Sequence, residues 1–401
     1  MDSQSGRQLA TTQPPLLLPY LQTIDLYALK KMSHVWKCNW NRFLIRHHPP
    51  LQFPFQNLTD IDLGACPKIK YLFSPLMAKY LSNLKSVRIN DCSGMEEVIS
   101  RRDDETTTSA SASSYQDTAF FPHLDTLELR SLPCLKCIDD EKNTWSRSNK
   151  ISSIVTTTIH NHLQRAQVTG SYWSLCQYPR KIDIYKCHGL SSLIPWYAAG
   201  QMKRLQELEI ENCSRMREVF ENELMNNNSN NVDEGSGAGT SLTSLPLQNI
   251  ITTLAVPQLF NLKTVVIYEC DILTHIFTFN TLKTLSHLKQ LKVKRCKTIQ
   301  VIVKEENKTS SEEEEVVVFP NLETLELDRL PNLKSFFLGM NDFRCPSLVT
   351  LMINDCPKWV VFTSGQLETP KLKYIHTSYG KHNLEHGFNF QVHKPFCLNC
   401  L

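Results

Sequence analysis

No stretch of the chain approaches the roughly 18 to 20 consecutive apolar residues that cross a bilayer as a helix, so no membrane partner is expected. Charge of one sign is also missing. The chain has 43 Lys and Arg against 40 Asp and Glu, a formal net charge of +3. That field is too weak and too mixed to argue for nucleic acid as a partner. The opening MDSQSGRQLATTQPPLLLPYL has one Arg and an apolar stretch broken by prolines, with no small-residue cleavage pattern after it. It does not read as a secretory signal. The expected compartment is the cytosol or nucleus, where thiols stay reduced.

Chemistry-bearing motifs are just as scarce. A P-loop needs G-x-x-x-x-G-K-[ST] so that backbone amides can cradle phosphates, and that string does not occur. The glycines from Gly235 to Gly239 lie in a polar segment with no strand before and no amphipathic helix after. Cys134 and Cys137 are spaced C-x-x-C but fall inside a packed segment. His393, Cys397 and Cys400 supply three zinc-type ligands without a fourth. The spacing of the last two cysteines is wrong for C-terminal prenylation. His160-Asn161-His162 has no carboxylate or serine partner at a useful spacing. No catalytic set, metal or cofactor is expected.

A repeat is what the chain does have. The pattern L-x-x-[LIV]-x-[LIV]-x-x-[CL]-x-x-[apolar] recurs as Leu84, Val87, Ile89, Cys92, Met95 and as Leu205, Leu208, Ile210, Cys213, Met216. Further copies start at Leu58, Leu262, Leu288 and Leu348. Two copies, Leu124 to Leu132 and Leu322 to Leu330, place Leu-Pro where the others have Cys. Weaker copies are centred on Ile24 and Ile182, which makes about ten units. Cys66 to Cys92, Cys187 to Cys213, Cys270 to Cys296 and Leu330 to Cys356 are each 26 residues apart. Fourteen cysteines therefore reflect repetition rather than a disulfide framework.

The period-two stretch x-L-x-L-x predicts a short strand, and the apolar positions three apart after it suggest a loose helical or 3₁₀ return. One such coil cannot bury its apolar face, so coils stack into a continuous core. The expected fold is an α/β leucine-rich-repeat solenoid, a curved horseshoe with a parallel sheet on its concave side and an irregular or short-helical convex side. It should span residues 1–371, with a terminal cap over 372–401. A hydrophobic share of 41% suits such a core. Polar, low-complexity insertions interrupt the units near 100–118, 221–244 and 304–315, and 139–177 does not parse into clean repeats. The small, weakly polar Cys after each strand is expected to meet backbone groups at the inward turn.

Alternation also names the residues that face out of the concave sheet. Those expected to form a protein-binding face are Arg88, Glu128, Arg130, Asp183, Tyr185, Glu207, Glu209, Glu211, Tyr268, Lys292, Lys294, Glu326 and Asp328. The acidic group at 207, 209 and 211 is two units from the basic pair at 292 and 294, an arrangement suited to steering a protein partner.

The strings LKSVRINDCSGMEEVI, LQELEIENCSRMREVFE, FPNLETLELDRLPNLKSFF and SYWSLCQYPRKIDIYKCHGLSSLIPWYAAGQM closely resemble the repeat region of plant coiled-coil, NB-ARC, leucine-rich-repeat resistance proteins. The L-x-G-x-[IL]-P signature of extracellular plant repeats is missing. The resemblance implies sensing of a pathogen effector or of a guarded host protein, with the repeats restraining a nucleotide-driven switch domain. That NB-ARC domain is expected to lie outside this chain. The alternative is a stand-alone adaptor, such as a substrate receptor of a ubiquitin ligase.

Overall fold

A computed structural model describes residues 18–36, 55–74, 77–78, 81–100, 121–139, 175–194, 202–220, 258–305 and 316–383. The expectations for most of the three insertions, for the irregular 139–177 stretch, for His160 and His162, and for His393, Cys397 and Cys400 fall outside the described residues.

Every recognised repeat becomes one strand of a single twelve-stranded sheet. In chain order the strands are β1 (Thr23–Tyr27), β2 (Asp60–Gly64), β3 (Ser86–Asn90), β4 (Thr126–Arg130), β5 (Lys181–Tyr185), β6 (Glu207–Glu211), β7 (Thr264–Tyr268), β8 (Gln290–Lys294), β9 (Thr324–Asp328), β10 (Thr350–Asn354), β11 (Tyr374–Thr377) and β12 (Gly380–Asn383). Each pairs with its sequence neighbour, parallel throughout except for the final antiparallel pair. At about 4.8 Å per strand the sheet is roughly 50 Å long. Register is kept whatever the length of chain between strands. Val87 pairs with Leu127 across one insertion, and Leu208 with Val265 across another. The second and fourth residues of the interior strands β2 to β10 are buried, and a one-residue slip would turn that whole apolar set to solvent.

Of the irregular or short-helical return expected behind the sheet, the structure shows mostly the irregular form, a turn followed by a short strand. After Cys92 the Met95 N–H donates to the Cys92 carbonyl (3.0 Å), and the same turn follows Cys213, Cys270 and Leu330. Glu97–Ile99 then pairs in parallel with Cys137–Asp139, and Val301–Lys304 with Ser335–Phe337. These segments are too few in residues to nucleate a helix. Their β-branched and aromatic side chains suit a pleated layer instead. Helix among the described residues is limited to 77–78, Phe279–Leu282 and one 3₁₀ turn at Leu175–Gln177. At the end, β11 continues the parallel ladder past residue 371, pairing Ile375 with Leu351. The polar hairpin strand β12 then closes that edge.

A corner follows each of the first ten strands. Ala28, Ala65, Asp91, Ser131, Lys186, Asn212, Glu269, Arg295, Arg329 and Asp355 all have φ between 48° and 58°. Only left-handed backbone turns the chain inward there, which costs a non-glycine residue roughly 1 kcal/mol. A hydrogen bond to the neighbouring coil offsets it. The first nine corner N–H groups donate to the last carbonyl of the next strand, for example Glu269 to Lys294 at 3.0 Å. The tenth, Asp355, donates instead to the Ser378 hydroxyl at 2.7 Å.

The cysteines one residue later do what the sequence suggested. Cys66 donates its thiol to the Gly64 carbonyl (3.2 Å), Cys187 to Leu129 (3.4 Å) and Cys356 to Asn354 (3.2 Å). Burial pushes the Cys92 thiol up to about 11 and those of Cys187 and Cys356 to about 12. All three are free thiols. Native protein treated with iodoacetamide at pH 8 should therefore label exposed Cys134 at least about tenfold faster than Cys92, Cys187 or Cys356, because the thiolate is the reactive form. Peptide mapping reads the rates, and equal labelling would show that the corner thiols are open to solvent.

Candidate functional site

Alternation leaves the first, third and fifth residues of each strand on the outer face of the long sheet, in three columns about 4.8 Å apart from strand to strand. All thirteen predicted face residues occupy third or fifth positions, except Glu207, which occupies a first position. Parallel in-register pairing places each beside its counterparts on the adjacent coils. Glu128 lies between Arg88 and Asp183, and Tyr268 between Glu211 and Lys294.

Most charges on this face are already paired across neighbouring strands. Arg88 reaches Glu128 (3.7 Å), Lys181 reaches Glu209 (3.6 Å) and Lys294 reaches Glu326 (2.8 Å). Arg130 hydrogen-bonds Asp183, whose residue is only 4% exposed although it lies on the outer face. The Arg130 guanidinium also sits over the Tyr185 ring at 5.7 Å, with the Lys186 ammonium at 4.9 Å, and Arg295 covers Tyr268 at 5.3 Å. Such contacts hold the aromatic rings in place. The predicted acidic and basic groups are thus each thinned by neighbours. Glu209 and Lys294 are engaged, while Glu207, Glu211 and Lys292 make no ion pair among the described residues.

The Arg130–Asp183 pair gives a direct test of how much this face contributes to stability. Removing Arg130 strands a buried carboxylate, a loss of about 3 to 5 kcal/mol in a fully buried site. The arginine side chain here is 42% exposed, so water takes up part of the loss. Arg130→Ala should cost about 1 to 2 kcal/mol in urea unfolding, and adding Asp183→Asn should recover most of it. No recovery in the double variant would show that the loss came from the Tyr185 contact instead.

Sequence reasoning missed a second set of ordered polar groups, on the edge where chain enters the sheet. Asn57, Asn83, Asn261 and Asn321 each donate a side-chain N–H to a carbonyl of the preceding coil, as Asn83 does to Gln56 (2.7 Å) and Asn261 to Lys203 (2.6 Å). His287 fills the same place with a contact to the Phe260 carbonyl at 2.6 Å. The signal was present as a repeated Asn-Leu dipeptide at the head of four units. At the opposite edge the corner residues link coil to coil through Asn212–Glu269 (3.3 Å), Glu269–Arg295 (3.2 Å) and Arg329–Asp355 (3.8 Å).

No group of three or more His, Cys, Asp or Glu able to hold a metal occurs among the described residues, the neighbourhood of Cys134 and Cys137 included. No described helix is long and apolar enough to cross a membrane. A parallel sheet stacked from repeated coils, a cysteine after seven of its ten inward corners and a varied polar outer face define a leucine-rich-repeat solenoid, a scaffold for contact with other proteins. The family described as plant disease resistance protein RPS2-like, leucine-rich repeats, matches residues 39–161, 149–252 and 240–362, and the chain belongs to it. No curated protein matches the chain.

Proposed function

We propose that this chain is the recognition module of an intracellular plant immune receptor. It binds a pathogen effector or a guarded host protein through the outer face of its long sheet, and it restrains an NB-ARC switch domain that this chain does not include. The work is done by contact, without turnover or a cofactor, in the cytosol or nucleus. The observation that carries the reading is the outer face itself: neighbouring coils of a disease-resistance repeat hold charged and aromatic side chains in fixed columns. Loops and columns on a rigid frame are how repeat proteins vary recognition without altering the fold.

Photo-cross-linking tests it. Benzoylphenylalanine at Tyr268, on the outer face, is compared with the same group at Lys334, exposed on the opposite layer, in extracts of pathogen-challenged and unchallenged tissue. A cross-linked protein specific to the Tyr268 position supports the reading. It is an effector when confined to challenged tissue and a host protein when present in both. The absence of any face-specific product overturns the reading.

A further inference from the structure

Cross-strand ion pairing runs along the outer face and then stops. It joins β3 to β4, β4 to β5, β5 to β6, and resumes from β8 to β9. Strand β7 breaks it, because its outward residues Thr264, Val266 and Tyr268 carry no charge. On one side Glu207 and Glu211 are exposed, and Glu211 feels a longer-range attraction from Lys186, whose ammonium rests on Tyr185. On the other side Lys292 has no anionic partner among the described residues. The two charged walls are two strand spacings apart, about 10 Å, with half-buried Val266 between them.

We infer that this strip seats one α-helix of a partner protein, lying along the strands, with a narrow aliphatic stripe on Val266, Lys or Arg against Glu207 and Glu211, and Asp or Glu against Lys292. The proposal rests on the recognition reading above and specifies its occupant. A helix with side chains is about 10 to 12 Å across, matching the distance between the walls. Charges that elsewhere on the face satisfy one another are here left to be satisfied by the occupant. A helix with like charge on both flanks would meet repulsion on one side, so the strip selects opposite flanks and fixes the direction in which the helix lies.

The probe is a synthetic helical peptide of about 14 residues, roughly 21 Å. It carries leucines in one stripe, lysines along one flank and glutamates along the other. Its control has the same composition with charges mixed on both flanks. Fluorescence anisotropy with the full chain at low salt should show the segregated peptide binding at least about tenfold more tightly than the mixed one. Lys292→Glu should abolish that advantage. In Glu207→Lys/Glu211→Lys, with folding checked by circular dichroism, a peptide bearing glutamate on both flanks should become the tighter ligand. Equal binding of the two peptides, indifference to Lys292→Glu, or no binding of the segregated peptide overturns the helical occupant. Those results leave the recognition reading intact when Tyr268 still cross-links a tissue protein.

Discussion

Phe336→Ala is expected to lower the unfolding free energy by about 3 to 5 kcal/mol, the range for emptying a fully buried phenylalanine site. Phe336 stacks on Phe362 with ring centroids 4.5 Å apart and meets Phe343 and Phe319 edge-on at 5.9 and 6.1 Å. Phe319 and Phe336 belong to the coil of β9, Phe343 and Phe362 to the coil of β10, so collapse around the cavity would have to move both coils together. Little relaxation is available, which places the loss high in the range. Because each coil touches only its neighbours, the damage should stay local. Hydrogen exchange should lose protection at Val301–Lys304 and Phe343–Arg344 while β3 keeps its own. Leu26, in the incompletely covered first coil, sets the contrast, and Leu26→Ala should cost less than half as much. An unchanged melting temperature for Phe336→Ala, or protection lost evenly from β1 to β12, would contradict a stacked aromatic core with nearest-neighbour coupling.

The strands were legible because their physics is local. An x-L-x-L-x stretch has one way to bury both leucines, and every strand from β1 to β10 lies where that pattern placed it. The cysteine role was legible for the same reason, since a small donor after the strand has nearby carbonyls to meet. The corners were not. Left-handed φ is usually marked by Gly or Asn, yet Lys186, Glu269, Arg295 and Arg329 adopt it here, held by a hydrogen bond that exists only once the next coil is stacked. The form of the back layer was open because a three-residue apolar interval fits both a helical turn and a tight turn entering a strand. The parallel partner that decides between them lies in the next coil.

Legibility of the outer face divides the same way. Which residues point outward follows from alternation, and all thirteen do. Which of them remain available to a partner depends on strand adjacency across insertions of unequal length. Lys292 and Lys294 look alike in sequence, but among the described residues only Lys294 meets a carboxylate, Glu326, on the following strand. Asp183 looks like an exposed acid and is instead covered by Arg130. Which charges stay open is therefore a property of the stacked face, and Glu207, Glu211 and Lys292 flank the neutral strand that interrupts the pairing.

Acidification from pH 7 to pH 5 is expected to remove about 2 kcal/mol of stability through His275 alone. This histidine lies in the back layer, 7% exposed, just before the short strand Phe277–Thr278, with its Nδ1 2.9 Å from the Thr274 hydroxyl. Burial, reinforced by the Lys304 ammonium at the end of the neighbouring strand, lowers its pKa from 6.5 to about 4. Below pH 6.5 the unfolded chain binds a proton that the folded chain refuses until about pH 4. Stability therefore rises with pH across that window and falls on acidification, at about 1.36 kcal/mol per unit of separation when fully expressed. Glu96, held down to about 2 chiefly by Lys136 and Lys70, adds stability that is lost only as pH falls from 4.5 towards 2. The interval from pH 7 to 5 thus leaves Glu96 out, and comparison with a His275 variant separates this histidine from the other groups. Val301 occupies the equivalent place in the next coil, so a valine fits that site. His275→Val should fold and should have a stability that is flatter between pH 7 and 5 by about 2 kcal/mol in urea unfolding. Identical pH slopes for the two proteins would place the histidine in contact with water and remove burial as the cause.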